Sequence, residues 1–157
     1  MTSALERLLT HSDYEEGRMW RRQRLPANAT IFAEGDTGRD VYLILAGTVR
    51  VVGNVDLDDQ RKVHPGFSEL EAGQVFGELR LFDDQPRSAT VVCLSECELA
   101  VMDGDVLLAF LDSHPELGYP IFKELILALV GRLRQANKKI FSLFAWGLKM
   151  RGIDQHL

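Results

Sequence analysis

The sequence contains few of the residues that build disulfide frameworks or metal sites. Only two cysteines, Cys93 and Cys97, occur among its 157 residues, and they lie in a strand-like segment with no histidine nearby. Metal sites need clustered ligands, and the four histidines are scattered at His11, His64, His114 and His156. We therefore expect two buried free thiols and no bound metal or other cofactor.

Targeting and membrane-spanning segments are also lacking. The first residues, MTSALERLL, contain neither the basic stretch nor the long apolar core of a secretory signal. No apolar run approaches the roughly 20 residues that cross a bilayer. We expect a cytoplasmic protein.

Positive charge is scarce over the chain as a whole. There are 18 Lys and Arg residues against 23 Asp and Glu residues, which gives a net charge of -5 and a pI of about 5.4. This balance provides no general attraction to phosphate backbones or anionic lipids. After the last predicted helix only about ten residues remain, fewer than a helix-turn-helix needs. We therefore expect neither nucleic acid nor a membrane among the partners.

Catalytic motifs are missing too. The chain has no nucleophile elbow, no P-loop and no paired histidine and carboxylate pattern. It also lacks the His-x-His cluster of a metal-binding β-barrel. We predict no catalytic residues, and therefore a binding protein rather than an enzyme.

The length and the 46% apolar content are sufficient for one compact domain with a real core. The pattern divides it into an N-terminal helical segment (1–24), a β-rich segment (25–112) and C-terminal helices (113–157). Ser3 with Glu6 and Ser12 with Glu15 have capping-box spacing, which predicts one or two short helices between residues 3 and 19. Leu5, Leu8 and Leu9 would form their buried face.

The middle segment consists of short apolar or alternating runs separated by Gly, Asp and Pro, a pattern typical of antiparallel strands. Gly47 is predicted to form a turn, and Asn54–Gln60 a solvated hairpin tip. Many short strands indicate a barrel or a sandwich. The predicted strands are Thr30–Phe32, Val41–Ala46, Thr48–Val52, Ala89–Val92 and Glu98–Met102.

Helices return after residue 104. Asp105–Leu111 is predicted helical, and Ser113 with Glu116 forms a further capping box beside Pro115. The long helix that follows carries a heptad seam, in which apolar residues step by four and three: Phe122, Ile126, Leu129, Leu133, Ala136, Ile140 and Leu143. As a helix, residues 121–145 span about 37 Å. We favour homodimerisation through residues 121–144 over packing of this helix on its own β-rich segment, and we rank a membrane-surface helix with an aromatic end last.

The segment Val75–Val91, VFGELRLFDDQPRSATV, has the features of a small anion site. Gly77 permits close approach of a ligand to the backbone, and a short helical turn from Glu78 would direct N–H groups at negative charge. The Arg87 guanidinium can bind two oxygens of a phosphate, and Ser88 adds a hydroxyl. Glu78 would repel a phosphate, unless it accepts a hydrogen bond from a ribose hydroxyl. An anion together with a ribose indicates a nucleotide.

These residues resemble the cyclic-nucleotide-binding domains of catabolite activator proteins, kinase regulatory subunits and cyclic-nucleotide-gated channels. The phosphate-binding cassette of that family, F-G-E-L followed by P-R-S/A-A-T, is present at the usual separation, and IFAEGD and VYLILAGTVRVV are similar to its early strand and central hairpin. The likeness covers roughly residues 20 to 135. It implies a jelly-roll-like β-roll with an N-terminal helix and a long C-terminal helix.

The resemblance also implies roles for individual residues. Glu78 would bind the ribose 2′-hydroxyl, Gly77 and Leu79 would contribute backbone groups, and Arg87, Ser88 and Ala89 would hold the cyclic phosphate. The C-terminal helix would act as a lid that meets the base near Leu125, Ala128, Leu129 and Arg132, and would signal to a dimer interface or a protein effector. The candidate ligand-binding set is Phe76, Gly77, Glu78, Leu79, Arg80, Arg87, Ser88, Ala89, Thr90, Leu129 and Arg132.

Three questions stay open at this point. Arg80 occupies a position where the family usually has a small residue; we favour a side chain in solvent, paired with Asp83 or Asp84, over one at the pocket mouth. We expect cAMP as the ligand, with cGMP as the alternative. The alternative function is a ligand-independent structural or interaction module with the same fold.

Overall fold

The computed structural model describes residues 2–53, 55–58, 61–63 and 66–152, with side chains described outside residues 54–67. The chain forms two compact units, divided between Ile121 and Phe122. The division of the chain at residues 24 and 112 remains a prediction.

The first unit consists mainly of strands that form two antiparallel sheets. One sheet has the order β1-β10-β3-β8 and the other the order β2-β9-β4-β7, while β5 and β6 pair with each other. The strands are β1 (Trp20–Leu25), β2 (Thr30–Phe32), β3 (Asp40–Ala46), β4 (Val49–Val52), β5 (Val55–Asp58), β6 (Arg61–Val63), β7 (Gly66–Leu70), β8 (Val75–Phe76), β9 (Thr90–Cys93) and β10 (Cys97–Asp103).

Side chains from both sheets form one core. Ile44 and Leu99 come from the first sheet, Val49 and Val91 from the second, and all four are almost completely buried in the same cluster. The predicted class, mainly β with flanking helices, is confirmed.

All five predicted strands are present, with ends that differ by at most one residue. Gly47 forms the turn between β3 and β4 with φ of 95°, a left-handed conformation that favours glycine. Strand β1 was not predicted, because its sequence WRRQRL contains three arginines. It is an edge strand whose six residues all pair with β10, and its Arg22 bonds to Glu16 and Glu98.

The N-terminal helix α1 (Ala4–Leu9) begins at the predicted capping box. The Glu6 N–H donates to Ser3 Oγ over 3.1 Å, and the Ser3 N–H donates to Glu6 Oε2 over 3.0 Å. Leu5 and Leu8 are buried and Leu9 is half-buried.

The second predicted helix, at Ser12 and Glu15, is wrong. Turns occupy this stretch, because the Asp13 N–H donates to His11 Nδ1 and the Tyr14 N–H to the His11 carbonyl. The local hydrogen bonds of a histidine therefore replace those of a capping serine.

Two helices follow the sheets, α2 (Gly104–Ser113) and α3 (Pro115–Arg151). Asp103 caps α2 by accepting from the Val106 N–H. The capping box predicted from the spacing of Ser113 and Glu116 is wrong. Ser113 is the last residue of α2, and its hydroxyl donates to the Ala109 carbonyl. Helix α3 begins at Pro115 and is 37 residues long, and Pro120 lies within it.

Three other expectations meet the structure here. Cys93 and Cys97 are free and buried, as predicted. Within the predicted hairpin tip, residues 55–58 form strand β5, which pairs with β6 in a hairpin. Residues 54, 59 and 60 lie outside the described residues. Among the described helices, none is both long and apolar enough to cross a membrane.

Candidate functional site

The site is built around the connection that follows β8. Gly77 adopts φ of 78°, and a 3-10 turn, Glu78–Leu81, begins directly after it. A Cβ atom at Gly77 would lie 2.9 Å from Arg87 Nη1 and 3.1 Å from the Asp40 carbonyl oxygen. Both the left-handed backbone and the close contacts therefore require glycine.

Arg87 is a buried cation held by backbone carbonyls. Its side chain is 5% exposed; Nη1 donates to the Gly77 carbonyl over 3.0 Å and Nη2 to the Asp40 carbonyl over 2.7 Å. Its Nε has no hydrogen-bond partner among the described residues. Carbonyl acceptors orient the guanidinium but leave its full positive charge in place.

Aromatic rings cover the same guanidinium. Its Cζ lies 4.3 Å from the centre of the Phe32 ring and 5.9 Å from that of Tyr42, and Tyr42 stacks on Phe76 at 4.9 Å. Cation–π attraction offsets part of the cost of burying the charge. Burial is the main cause that lowers the pKa of Arg87 below its usual value, although an arginine stays protonated in proteins.

A cavity of about 490 Å³ lies against these groups. Its walls contain Arg87, Phe32, Tyr42 and the loop that connects β2 to β3. The full lining is Ile31, Phe32, Gly35, Asp36, Thr37, Gly38, Asp40, Tyr42 and Arg87. The backbone of Arg87 fixes this loop, because its N–H donates to the Asp36 carbonyl and its carbonyl accepts from the Gly35 N–H. The cavity therefore combines one buried cation, two aromatic residues and a loop with two glycines, which suits a small anion attached to a flat ring.

Several of the predicted site residues lie at the cavity, at the end of β8 or in the connection that follows β8. Of the predicted residues that the structure describes, Arg87 lines the cavity. Phe76 and Gly77 support it through the Tyr42 stack and the Arg87 hydrogen bond. Glu78 is 2% exposed, at the start of the 3-10 turn, and Leu79 beside it is 47% exposed.

The remaining predicted residues have other positions. Ser88 is exposed and Ala89 half-buried, and Thr90 begins β9, where its Oγ1 accepts from the Glu34 N–H over 2.9 Å. Leu129 and Arg132 lie in the middle of α3, in the second unit.

The interpretation of Arg80 as a solvent-exposed side chain is wrong. Arg80 is 6% exposed; its Nε donates to the Gly38 carbonyl over 3.2 Å, Nη2 to the Thr37 carbonyl over 3.1 Å, and Nη1 to the Gln85 carbonyl. It does not pair with Asp84, which binds Arg39 instead. Arg80 therefore joins the loop of the cavity wall to the segment that precedes Arg87.

The sequence reasoning missed the cavity walls contributed by Phe32, Tyr42 and Asp40. Phe32 and Tyr42 lie in segments that were assigned to strands but not to the site, and Asp40 directly precedes the second of these segments. Alternation gives no inward face in that strand, because Val41, Tyr42, Leu43 and Ile44 are all buried.

Among the described residues, no group of three His, Cys, Asp or Glu side chains could hold a metal ion. The fold and the site thus define a β-roll domain built to bind an anionic small molecule. The sequence model of the cyclic nucleotide-binding domain matches residues 22–114. The chain belongs to the cyclic nucleotide-binding domain family, and the recognition made from the cassette is confirmed.

Curated relatives agree with this assignment. The chain is 30% identical over 118 residues to a CRP-like cAMP-activated global transcriptional regulator of Mycobacterium tuberculosis, covering 75% of this chain and 49% of that protein. It is 30% identical over 121 residues to the cyclic AMP receptor protein of Thermus thermophilus, covering 77% and 52%. The chain thus spans about half the length of the curated relatives it matches.

Solved structures share the fold. A cyclic nucleotide-binding domain from Methylobacillus flagellatus superposes with a TM-score of 0.70 at 26% identity, over 88% of this chain and 71% of that one. The catabolite activator protein of Thermus thermophilus superposes with a TM-score of 0.65 at 27% identity, over 89% and 58%. These likenesses confirm the β-roll.

Proposed function

We propose that this chain is a regulatory sensor that binds a cyclic nucleotide, cAMP in the first place with cGMP as the alternative, and catalyses no reaction. The observation that carries the proposal is the buried Arg87 guanidinium at the cavity wall. A cation removed from water, and contacted by neutral carbonyls and aromatic rings, gains strongly from an anion that replaces the missing solvent. The names of the relatives, which include cAMP-activated regulators, support the same ligand class.

The cassette supplies the remaining recognition. Arg87 would bind the cyclic phosphate together with the backbone of Ser88 and Ala89, and Phe76, Gly77, Leu79 and Thr90 would shape the connection around it. Glu78 would accept the ribose 2′-hydroxyl. This polarity places the negative phosphate on the cation and the neutral sugar on the carboxylate, so the two charges of the protein act on different parts of one ligand.

Regulation would use the long helix. Leu129 and Arg132 would contact the base when α3 closes as a lid, and the heptad seam of residues 121–144 would pass that closure to a second copy or to a protein effector. A ligand shifts such an equilibrium only by its difference in affinity for the two states. We place this activity in the cytoplasm, with no contact to nucleic acid by residues 1–157.

Titration calorimetry with cAMP and cGMP tests the proposal. Arg87→Ala should weaken cAMP binding by about 2–5 kcal/mol, the range for removing one side of a desolvated charge pair. Arg50→Ala is the matched control, because Arg50 is an arginine of the same unit whose side chain pairs with Glu69 at an exposed position; its affinity should equal that of the wild type.

One outcome would contradict the role of Arg87, and another would contradict the ligand class. Equal affinities of wild type and Arg87→Ala, with both proteins folded by circular dichroism, would contradict the phosphate role of Arg87. No heat from wild type with either nucleotide would contradict the ligand class and leave a structural module of the same fold.

A further inference from the structure

The net charge of the whole chain conceals a strong asymmetry. Residues 125–152 contain six Lys and Arg residues and no Asp or Glu. The preceding 124 residues contain the other 12 basic residues and 22 of the 23 acidic ones. Within this basic segment the side chains are described up to Gly152 and belong to a single helix, α3.

The basic segment carries a second apolar stripe beside the heptad seam. Phe141 and Phe144 each follow a seam residue by one position, and Leu148 continues their spacing four residues later, so the stripe is turned by about 100° from the seam. Phe141 is 68% exposed and Phe144 66% exposed, while Leu148 is half-buried. Two-stranded pairing buries the seam positions and leaves Phe141 and Leu148 outside the contact, while Phe144 lies at its border.

Basic side chains surround the apolar stripe. Arg134 and Lys138 come before Phe141, four residues apart, and Lys138 precedes Phe141 by three residues. Arg151 follows Leu148 by three residues, so all three basic residues continue the spacing of the stripe. An aromatic and aliphatic centre with Lys and Arg at its edges is the pattern of a helix that lies in the interface of an anionic membrane. None of the described helices is apolar enough to span a bilayer, which fits a helix that lies on the surface.

Two other partners for this side of the helix are less suitable, a second copy of the chain because of its charge and nucleic acid because of the apolar centre. A second copy docked on this side would bring its own Arg134, Lys138 and Arg151 against the same three residues with no acidic side chain between them, so like charges would oppose pairing through this side. Nucleic acid would satisfy the basic residues but would leave the rings of Phe141 and Phe144 without apolar contact. Anionic lipid provides both partners, headgroup charge and acyl chains.

We propose that residues 134–151 dock on an anionic lipid surface through Phe141, Phe144 and Leu148, with Arg134, Lys138 and Arg151 at the headgroups. The proposal revises the expectation, based on the net charge of the whole chain, that membranes are no partner. It does not depend on Arg87 or on the cavity beside it, which lie in the other unit.

Flotation of the full chain with vesicles tests the proposal, using phosphatidylcholine alone and phosphatidylcholine mixed with phosphatidylglycerol. Wild type should float with the mixed vesicles and not with phosphatidylcholine. The triple change F141A/F144A/L148A should lower the partition coefficient at least about tenfold, because three apolar side chains lose their burial. The triple change R134Q/K138Q/R151Q should lower it by about fivefold for each charge removed.

Tyr119→Ala is the matched control, since Tyr119 is an aromatic residue of α3 that is 71% exposed but lies outside the basic segment; it should float like wild type. All variants are first compared by circular dichroism to establish equal helix content. Absence of wild-type flotation, or equal flotation of F141A/F144A/L148A and wild type, would overturn the proposal. Retention on duplex DNA without flotation would assign the basic residues to nucleic acid and would overturn it as well.

Discussion

Replacing Arg80 by alanine gives a sharp test of the site geometry. Its guanidinium donates to three carbonyls, those of Thr37, Gly38 and Gln85, in two separate segments, and the side chain is nearly inaccessible to solvent. Each hydrogen bond from a charged donor stabilises a protein by about 1.5–3 kcal/mol. Water can reach part of the vacated space, so we expect the free energy of unfolding to fall by about 3–5 kcal/mol.

Urea denaturation followed by circular dichroism measures this loss, and Arg39→Ala is the control. Arg39 is a neighbouring arginine that also makes two strong contacts, to Asp84 and Asp105, but these ion pairs lie at the surface, where water and salt weaken them. Its loss should be much smaller than that of Arg80→Ala. The stabilising role of the Arg80 hydrogen bonds would be refuted if the two variants had the same free energy of unfolding. It would also be refuted if Arg80→Ala lowered that free energy by less than about 1 kcal/mol.

Three other predictions follow from the same structure. Gly77→Ala should lower the free energy of unfolding by at least about 1–2 kcal/mol, the cost of a left-handed backbone for alanine, and weaken cAMP binding through Arg87, whereas Gly131→Ala, with open space at its Cβ, should stabilise the protein by up to about 1 kcal/mol. Burial raises the pKa of the Cys93 thiol from 9.0 to about 12; that contribution to stability is complete below pH 9 and is lost as the pH rises through 12, so wild type should lose more stability over this interval than Cys93→Ala in pH-dependent denaturation. Ser3→Ala should cost about 0.5–2 kcal/mol by removing the helix cap, and an unchanged melting temperature would contradict the role of the capping box.

The elements that local patterns determine could be predicted from the sequence. The strands between Thr30 and Met102 were found because alternation and β-branched residues reflect one buried and one exposed face. The α1 cap was found because Ser3 and Glu6 satisfy each other within four residues. The same spacing failed at Ser12, where the His11 ring and carbonyl accept the nearby N–H groups. A capping motif therefore predicts a helix only where no neighbour competes for its donors.

The walls of the site could not be predicted in the same way, because they arise from pairing between distant strands. Tyr42 meets Phe76 only because β3 and β8 pair in that register, and Phe32 reaches Arg87 only because β2 is placed beside β9. No local spacing records these neighbours. The cassette was recognisable as a contiguous motif, whereas the other residues that line the cavity lie 45 or more positions before Arg87.

Arg80 and Arg87 show why residue type and position within a motif do not determine a role. Both are buried arginines in the same cassette; Arg80 donates to carbonyls of the loop between β2 and β3, and Arg87 donates to the carbonyl of Asp40, the first residue of β3. Arg80 uses all three of its guanidinium nitrogens on carbonyls, which suits a structural tie. Arg87 uses two, keeps Nε without a partner among the described residues, and lies against a cavity. An anion entering that cavity would therefore gain more from Arg87 than from Arg80, so Arg87→Ala should reduce ligand affinity more than stability, and Arg80→Ala the reverse.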